Sequence, residues 1–395
     1  PEYFGSEAEV LALPAAHSLR GAYEAGDITK PDWATQGLLT VIRLTPYTDL
    51  LFYGSGEQLL VATLRLEACL TAAGPTVPPR ERVQRTAYVV PRASALLHRE
   101  RTEPFALRQF PAGPAFQRAG DGPFIDRAGG NQTVVDTGAE LHLWLEGYSG
   151  ATGFVVHATS ADGLAWDFAW DTAHIVAFEG LPDLQYWKLG PTVIGAGGGF
   201  TMWLEVIDET TEQSRLAVAT ATDALHFGAA RTTGLVPFQW RNRSVLVDGA
   251  TYHLYADHAG ASLVHATSPD GVTWTPDPAP LLERGASIDD MDGFGVYAPS
   301  VIRVGETLVM FYVAVYGARA AYQSHLAVAT STDGVTWQRA VAPVLNQDLT
   351  PGHWEAGEIG RPTALVRGDD VWLYYTGVEG GEPSVGVAIG AGWTP

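Results

Sequence analysis

The sequence has one cysteine, Cys69, in 395 residues. An intrachain disulfide is therefore excluded, although so few cysteines do not settle the redox compartment. The spacings that hold zinc, such as CxxC and HExxH, are absent. A Gly-rich phosphate loop and a GxSxG nucleophile elbow are absent as well. We therefore expect no cofactor.

Basic residues are also scarce, with 24 Lys and Arg against 44 Asp and Glu, a formal charge of −20. This charge repels phosphate backbones and anionic lipid, so we expect neither a nucleic-acid nor a membrane partner. No apolar run approaches the ~18 residues of a membrane span. We expect a soluble protein, either secreted or cytoplasmic, acting on a small molecule or a glycan. Whether a leader preceded Pro1 is left open.

The chain does contain many short apolar runs, which are clearest in the stretch Tyr297–Trp337. Its segments APSVIRV, TLVMFYV and HLAVATS are rich in Val, Tyr and Phe and too short for helices. An Asp-Gly turn then leads to Trp337. This pattern predicts a four-stranded antiparallel sheet, whose strands we call a, b, c and d.

The same unit occurs six times along the chain. Each strand a carries a Ser or Thr, and strand b ends at a constant distance after it. The six residues are Thr40, Thr133, Thr192, Ser244, Ser300 and Thr363. A repeat of this length predicts an all-β fold, a β-propeller of four-stranded antiparallel blades. We expect six blades, with five as the alternative, in a single domain spanning residues 1–395.

Two further features complete this predicted architecture. The first interval between copies is the longest, which places an insertion at about residues 66–103 inside the first blade. The last copy lacks a fourth strand. The N-terminal run Glu9–Leu13 is apolar and is predicted to supply it, because a closed ring leaves no exposed sheet edge.

A Ser-x-Asp-Gly-x-x-Trp signature recurs at Ser160–Trp166, Ser268–Trp274 and Ser331–Trp337. Asp-Gly suits a tight hairpin, and the Ser and Asp side chains can cap its backbone. We interpret these hairpins as structural c–d turns on one face of the ring. Antiparallel order then places the starts of the a strands and the ends of the b strands on the opposite face, around the axis.

Carboxylates, guanidinium groups and aromatic rings are concentrated at those axial positions. Aromatic faces stack on sugar rings, and carboxylates and Arg hydrogen-bond hydroxyl groups. The predicted substrate-binding residues are Arg127, Glu146, Trp187, Lys188, Glu205, Arg241, Asp257, Tyr297 and Arg361. The acidic cluster Asp289–Gly293 could bind Ca²⁺, but it lacks a full set of ligand spacings.

The segments MFYVA, LAVATSTDGVTW and GRPTAL resemble the propeller glycosidases of the arabinanase, levansucrase and invertase superfamily. This resemblance implies a glycoside-active propeller with an Asp base and a Glu acid at the starts of inner strands. Glu358, just before GRPTAL, matches the acid, and Asp126 or Asp292 is the implied base or nucleophile. Those enzymes have five blades and often an Asp-Pro at this point, and no inner strand here begins with Asp-Pro.

The chain is also similar to sialidases, whose six-bladed rings carry related hairpin boxes. That similarity implies an anionic sugar held by three arginines beside a Tyr–Glu pair, and Arg127, Arg241 and Arg361 could supply the arginines.

The sequence therefore favours hydrolysis of a glycosidic bond by a carboxylate pair. Two alternatives stay open. One is a non-hydrolytic propeller enzyme, such as a cyclase, isomerase or lyase acting on a small molecule. The other is a carbohydrate-binding propeller without turnover.

Overall fold

In the computed structural model the chain divides into two compact units, Pro1–Ala106 and Leu107–Pro395. The structure describes residues 2–4, 7–12, 24, 36–43, 48–55, 58–65, 84–91, 95–101, 108–109, 114, 127–149, 152–168, 172–182, 185–236, 239–287, 290–317, 322–340, 343–349 and 352–390.

The first unit contains one short helix and six strands among its described residues. They are β1 (Glu2–Phe4), α1 (Glu7–Leu11), β2 (Gln36–Arg43), β3 (Thr48–Ser55), β4 (Gln58–Arg65), β5 (Gln84–Pro91) and β6 (Ala95–Arg101). The strands form two three-stranded sheets, ordered β1-β2-β5 and β3-β4-β6. No helix among the described residues is long and apolar enough to cross a membrane.

The first repeat copy does not form a propeller blade, so the favoured count of six blades is wrong. Its predicted a and b strands are β2 and β3, but β2 pairs with β1 and β5 instead of β3. Short Val- and Leu-rich runs indicate strands, whereas tertiary packing decides which strands pair. The predicted insertion at 66–103 contains β5 and β6, and its residues 66–83, 92–94 and 102–103 lie outside the described residues. The single-domain assignment over residues 1–395 stays a prediction.

The second unit begins with β7 (Arg108–Gln109), and its first two blades follow. Blade 1 consists of β8 (Arg127–Asp136), β9 (Leu141–Ser149) and β10 (Thr152–Ser160). A 3-10 turn at Thr172–His174 and β11 (Ala177–Phe178) lead into blade 2. Blade 2 contains β12 (Tyr186–Ala196), β13 (Gly199–Asp208), β14 (Gln213–Ala221), β15 (His226–Phe227) and β16 (Arg231–Thr232). Its main sheet has the order β12-β13-β14-β16, and β15 pairs with β11.

The other three blades follow the same antiparallel order. Blade 3 contains β17 (Arg241–Asp248), β18 (Thr251–His258), β19 (Ser262–Ser268), β20 (Thr275–Pro276) and β21 (Leu282–Glu283). Blade 4 contains β22 (Gly295–Val304), β23 (Thr307–Tyr316), β24 (Gln323–Ser331), β25 (Gln338–Arg339) and β26 (Leu345–Asn346). Blade 5 contains β27 (Glu358–Arg367), β28 (Asp370–Glu379) and β29 (Glu382–Gly390). The all-β propeller is confirmed, with the alternative count of five blades.

Ring closure is provided by β7, which adds to β29 as the outer strand of blade 5. The closing strand thus precedes the blades in the chain, but it is Arg108–Gln109 and not Glu9–Leu13. The latter prediction is wrong because Glu7–Leu11 is helical. This segment contains Glu, Ala and Leu, which are strong helix formers, and a short apolar run does not by itself separate strand from helix.

The five inner strands stand next to one another around the axis, with β27 returning to β8. The Ser or Thr that marks each repeat joins its strand to a neighbour. Three threonine hydroxyls donate to backbone carbonyls of the next inner strand: Thr133 to Pro191 (2.7 Å), Thr192 to Arg243 (3.0 Å) and Thr363 to Gln132 (2.6 Å). Two serine hydroxyls accept from backbone N–H groups of the next strand: Ser244 from Val301 (3.0 Å) and Ser300 from Ala364 (2.9 Å). These five bonds form a closed hydroxyl ring.

A β-bulge interrupts each inner strand just before this hydroxyl. Every bulge contains a residue with a positive φ: Asn131 (50°), Gly190 (59°), Asn242 (45°), Ala298 (46°) and Arg361 (48°), and in the first strand Gly130 (73°) has one as well. Gly and Asn tolerate this left-handed conformation, whereas Ala and Arg are strained in it. Bulges re-aim the strand beyond them, so each of the five strands changes direction just before its ring hydroxyl.

The Ser-x-Asp-Gly hairpins have the predicted structural role. In the first of them, Gly163 N–H donates to the Ser160 hydroxyl, and Leu164 N–H donates to Asp162, both at 2.8 Å. The first two hairpins also accept a bond from the preceding blade, from Tyr374 to the Gly163 carbonyl (3.0 Å) and from Trp203 to the Gly271 carbonyl (2.7 Å). The hairpins therefore cap their own turns, and two of them connect neighbouring blades.

Thr363→Val tests the hydroxyl ring at the junction of blades 5 and 1. The substitution keeps the side-chain shape and leaves the Gln132 carbonyl without this donor, so we expect a loss of about 1–2 kcal/mol of unfolding free energy. Urea denaturation measures the loss. Thr275→Val, at an exposed position of β20, is the matched control and should change stability by less than about 0.5 kcal/mol. Equal effects of the two substitutions would contradict the role of the ring.

Candidate functional site

A cavity of about 400 Å³ opens among blades 3, 4 and 5. Its lining comes mainly from the starts of inner strands and the ends of their neighbouring strands. The charged and polar lining residues are Arg241, Asn242, Asp257, Ser324, Glu358 and Arg361, and the remainder are Ala259, Gly260, Phe294, Tyr297, Ala298, Val313, Val315 and Tyr322. The bulge residues Asn242, Ala298 and Arg361 also line a narrower axial channel of about 100 Å³.

This cavity lies at the end of the blades opposite the hairpins. Strand β24 begins at Gln323 beside the cavity, continues past the lining residue Ser324, and ends at Ser331, where the hairpin starts. The arrangement agrees with the antiparallel order expected from the sequence.

One position near the end of each second strand carries a polar side chain in most blades. We call it the hub position. It is occupied, from blade 1 to blade 5, by Glu146, Glu205, Asp257, Val313 and Thr376.

Asp257 is buried at the hub position of blade 3. Its Oδ1 accepts hydrogen bonds from the side-chain amide of Asn242 (2.6 Å) and from the N–H of Ala298 (3.3 Å). Burial raises the pKa of Asp257, although these donors and the nearby Arg241 oppose the shift. The carboxyl group therefore keeps its proton to a higher pH than an ordinary aspartate does.

Glu146 has the equivalent arrangement in blade 1. Its Oε1 accepts bonds from the side-chain amide of Asn131 (2.7 Å) and from the N–H of Gly190 (2.5 Å), the bulge residue of the next blade. Tyr148 donates to the other carboxyl oxygen at 2.9 Å. Burial raises the pKa of Glu146, opposed by these donors and by the charge of Arg361. Both acids thus hold the backbone of the neighbouring bulge in place.

Glu205, at the hub position of blade 2, has a different environment. It is half-buried and accepts a hydrogen bond from the Ser214 hydroxyl on the adjacent strand. Of the three acids at equivalent positions in the repeat, Glu205 therefore has a different environment from Glu146 and Asp257.

Arg243 lies among these three acids and was not among the residues selected from the sequence. Its guanidinium donates to the carbonyls of Gly190 (2.8 Å) and Trp240 (2.9 Å). Burial lowers the pKa of Arg243 to about 10, and the negative charges of Glu205, Glu146 and Asp257 limit the decrease. Gly190 is required here, because a Cβ at that position would lie 2.9 Å from the guanidinium. The only signal for Arg243 in the sequence is its place directly before Ser244, the residue that marks the repeat.

Tyr297 lines the cavity near Asp257 and Glu358. A Cβ on Gly260 would overlap its ring, and a Cβ on Gly295 would lie 2.6 Å from it, so these glycines make room for the side chain. Burial raises the pKa of Tyr297, and the nearby charges of Asp257 and Glu358 add to the shift. The phenol therefore stays protonated at neutral pH and can donate a hydrogen bond.

Glu358 and Arg361 both reach the cavity from β27. Glu358 is half-buried, and its Oε1 is 3.3 Å from the Cβ position of Gly360. Arg361 occupies the bulge, with a side-chain nitrogen 3.3 Å from the Cβ position of Gly130 in blade 1.

Asp292 lies in a different place from Glu358. It is buried beside Arg339, with 3.3 Å between Asp292 Oδ2 and Arg339 Nε. Burial raises the pKa of Asp292, opposed by the charge of Arg339. Both residues line a separate, open pocket that also contains Trp337.

The remaining predicted residues are only partly described. Asp126 lies outside the described residues, and so does the side chain of Arg127, which begins β8. Trp187 and Lys188 lie on β12 before the bulge, and Lys188 is fully buried. Neither of them lines the 400 Å³ cavity.

No group of three or more His, Cys, Asp or Glu side chains in the described part of the chain could hold a metal ion. Asp289, from the acidic cluster considered for Ca²⁺, lies outside that part.

Residues 250–387 match the family model described as the glycosyl hydrolases family 32 N-terminal domain. This match covers blade 3 from β18 onward, blade 4 and nearly all of blade 5. No curated protein matches the chain.

Solved structures with the same architecture extend the comparison to most of the chain. A glycosyl hydrolase from Bacteroides ovatus is 16% identical and covers 73% of this chain and 94% of its own, with a TM-score of 0.57. The β-1,2-mannobiose phosphorylase from Listeria innocua is 13% identical, covers 72% of this chain and 96% of its own, and has a TM-score of 0.57. The catalytic domain of the Coprinopsis cinerea family 62 α-L-arabinofuranosidase is 13% identical, with coverages of 72% and 96% and a TM-score of 0.53.

The second unit therefore has the five-bladed propeller fold of glycoside hydrolases and related phosphorylases. The predicted resemblance to the arabinanase, levansucrase and invertase superfamily is confirmed. The six-bladed ring implied by the similarity to sialidases is wrong.

Arg243→Met tests the charge balance at the hub. The change leaves two backbone carbonyls without donors and three acids without their central cation, so we expect a loss of about 3–5 kcal/mol of unfolding free energy. Arg303→Met is the control, because Arg303 pairs with Asp248 on the surface and should contribute less than about 1 kcal/mol. Chemical denaturation at neutral pH measures both. A small loss in Arg243→Met would mean that the acids are not held by this charge.

Proposed function

We propose that this protein hydrolyses a glycosidic bond, with Asp257 and Glu358 as the carboxyl pair. The observation that carries the proposal is that these two groups line one cavity in unlike environments. Asp257 is buried and accepts hydrogen bonds from Asn242 and Ala298, and Glu358 is half-buried at the start of an inner strand. Glycosidases use one protonated and one ionised carboxyl group in this way.

In the proposed reaction Asp257 donates its proton to the glycosidic oxygen as the bond from that oxygen to the anomeric carbon breaks. The Glu358 carboxylate acts on the other side of the anomeric carbon, either directly or on a water molecule. Water supplies the oxygen of the released sugar, and its second proton restores Asp257. These roles reverse the sequence-based prediction, in which Glu358 was the general acid.

The other cavity residues have positioning roles in this proposal. Arg241, Arg361 and the phenol of Tyr297 are donors for sugar hydroxyls, since all three line the cavity. The folds of the similar solved structures support a glycan substrate, because they include a glycosyl hydrolase and an arabinofuranosidase. Glu146 has a structural role instead, because its carboxyl group holds the bulge at Gly190.

Hydrolysis of a panel of aryl glycosides, covering pyranosides and furanosides of both anomeric forms, tests this function. We expect Asp257→Asn and Glu358→Gln each to lower kcat by about 10²–10⁴-fold. Glu306→Gln, in the exposed turn between β22 and β23, is the matched control and should retain activity. Because a general acid must be protonated, the rate should fall as pH rises through the raised pKa of Asp257. Full activity in either site variant would exclude the proposed pair.

A second candidate reaction is transfer of the glycosyl group to phosphate. Two guanidinium groups, Arg241 and Arg361, line the cavity, and arginine pairs suit phosphate oxygens. The structural similarity to the Listeria innocua β-1,2-mannobiose phosphorylase favours the same reaction. The Asp257 proton would again go to the leaving oxygen, and a phosphate oxygen would take the place of water.

Product analysis with and without inorganic phosphate separates the two reactions. For a phosphorylase we expect a sugar 1-phosphate, a rate that saturates with phosphate, and loss of that dependence in Arg241→Gln. For a hydrolase we expect free sugar at a rate independent of phosphate. Release of free sugar at the same rate in both conditions would rule out the second reaction.

A further inference from the structure

The hub position breaks the symmetry of the ring in blade 4. Four blades place a polar side chain there, namely Glu146, Glu205, Asp257 and Thr376. Blade 4 has Val313 instead.

The polar hub residues next to blade 4 connect blades. Asp257 holds the bulge of blade 4 through Ala298, and the Thr376 hydroxyl donates to the side chain of Gln132 in blade 1 at 2.7 Å. Val313 has no polar group for such a bond. The junction between blades 4 and 5 uses a different contact, in which the Ile359 N–H donates to the Ser324 hydroxyl at 2.8 Å.

The space beside Val313 is part of the 400 Å³ cavity. Val313 and Val315 are two residues apart in β23, so both side chains lie on the same face of the sheet. The backbone N–H of Phe294 donates a hydrogen bond to the Val315 carbonyl of the same strand (2.9 Å). Its ring stacks on Tyr322, with 5.8 Å between ring centres and an interplanar angle of 10°. We call Phe294, Val313, Val315 and Tyr322 the apolar wall.

The apolar wall is open to a ligand and close to a carboxyl group. Tyr322 is 49% exposed and lines the same cavity as the two buried valines. A methyl carbon of Val313 lies 3.6 Å from the Cβ position of Gly360, and Glu358 Oε1 lies 3.3 Å from the same point. An apolar group on the wall would therefore contact the part of the cavity where we place the reaction.

We propose that the substrate is a glycoside with an apolar aglycone, an aryl or alkyl group that packs on the apolar wall. This inference rests on the proposed function for its reaction, but the binding it describes can be measured alone. A second sugar would leave hydroxyl groups facing two valines without partners, which costs free energy. An aryl group gains from burial against the valines and from contact with the aromatic pair.

Binding of matched methyl and phenyl glycosides tests the proposal. Isothermal titration calorimetry on the Glu358→Gln protein, which limits turnover, would compare the two for glucose, galactose, mannose and arabinofuranose in both anomeric forms. We expect the phenyl compound of at least one sugar to bind on the order of tenfold more tightly than the methyl compound. Chemically synthesised disaccharides of the same sugars should not bind more tightly than the methyl glycosides.

Val313→Thr, added to the same protein, should bring the phenyl-to-methyl ratio close to one, because it puts a hydroxyl on the wall at nearly constant volume. Binding of the methyl glycoside should stay the same. Val328→Thr, buried in β24 and outside the cavity lining, controls for loss of stability and should keep the ratio. Val315→Thr gives a second test of the wall if the first variant does not fold.

Three results would overturn the proposal: equal binding of phenyl and methyl glycosides, no binding of any phenyl glycoside, or a ratio that survives both wall substitutions. A phenyl preference without any hydrolysis or phosphorolysis would support the wall and reject the proposed reaction. Hydrolysis without a phenyl preference would support the proposed reaction and reject the role of the apolar wall.

Discussion

The hydroxyl ring is the constraint on which the rest of the second unit depends. Each inner strand gives one Ser or Thr hydroxyl to a bond with its neighbour, and the bond from Thr363 to Gln132 closes the circle. These bonds fix each inner strand to the next, directly beside its bulge. The bulges in turn decide where each strand begins, and the cavity is built from those beginnings. A displacement at one junction would move the neighbouring bulge and with it the residues that line the site.

The buried acids combine a structural and a chemical role. Glu146 and Asp257 each hold the bulge of the next blade, so their carboxyl groups have little freedom to move. Fixed donors and a nearby cation, Arg243, make their burial tolerable. A carboxyl group held in this way needs little rearrangement during a reaction, which is the property that preorganised sites use. For Asp257 the same bonds that stabilise the fold also orient the proposed proton donor.

The departures from fivefold symmetry determine what the site can do. Glu146 of blade 1 and Arg243 of blade 3 both bond to Gly190 of blade 2, whereas the cavity opens among blades 3, 4 and 5. Blade 4 differs from the others because its hub position is a valine. The fold itself is shared by hydrolases and phosphorylases, so it does not select between them. The selection depends on the side chains at the few positions where the blades differ.

Local chemistry along the chain was enough to predict the strands, the repeat, the capped hairpins and the end of the ring where polar residues collect. Short β-branched runs, Asp-Gly turns, and a Ser or Thr at a constant place carry that information. The number of blades depends instead on long-range pairing, because β2 resembles an inner strand in sequence but pairs within another unit. Closure of the ring also depends on long-range pairing, since β7 is only two residues long and completes blade 5 through its backbone. Two further features follow from which blades are adjacent in space: the separation of Asp292 from Glu358, and the placement of Arg243 among three acids. The spacing of residues along the chain carries no information about which blades are adjacent.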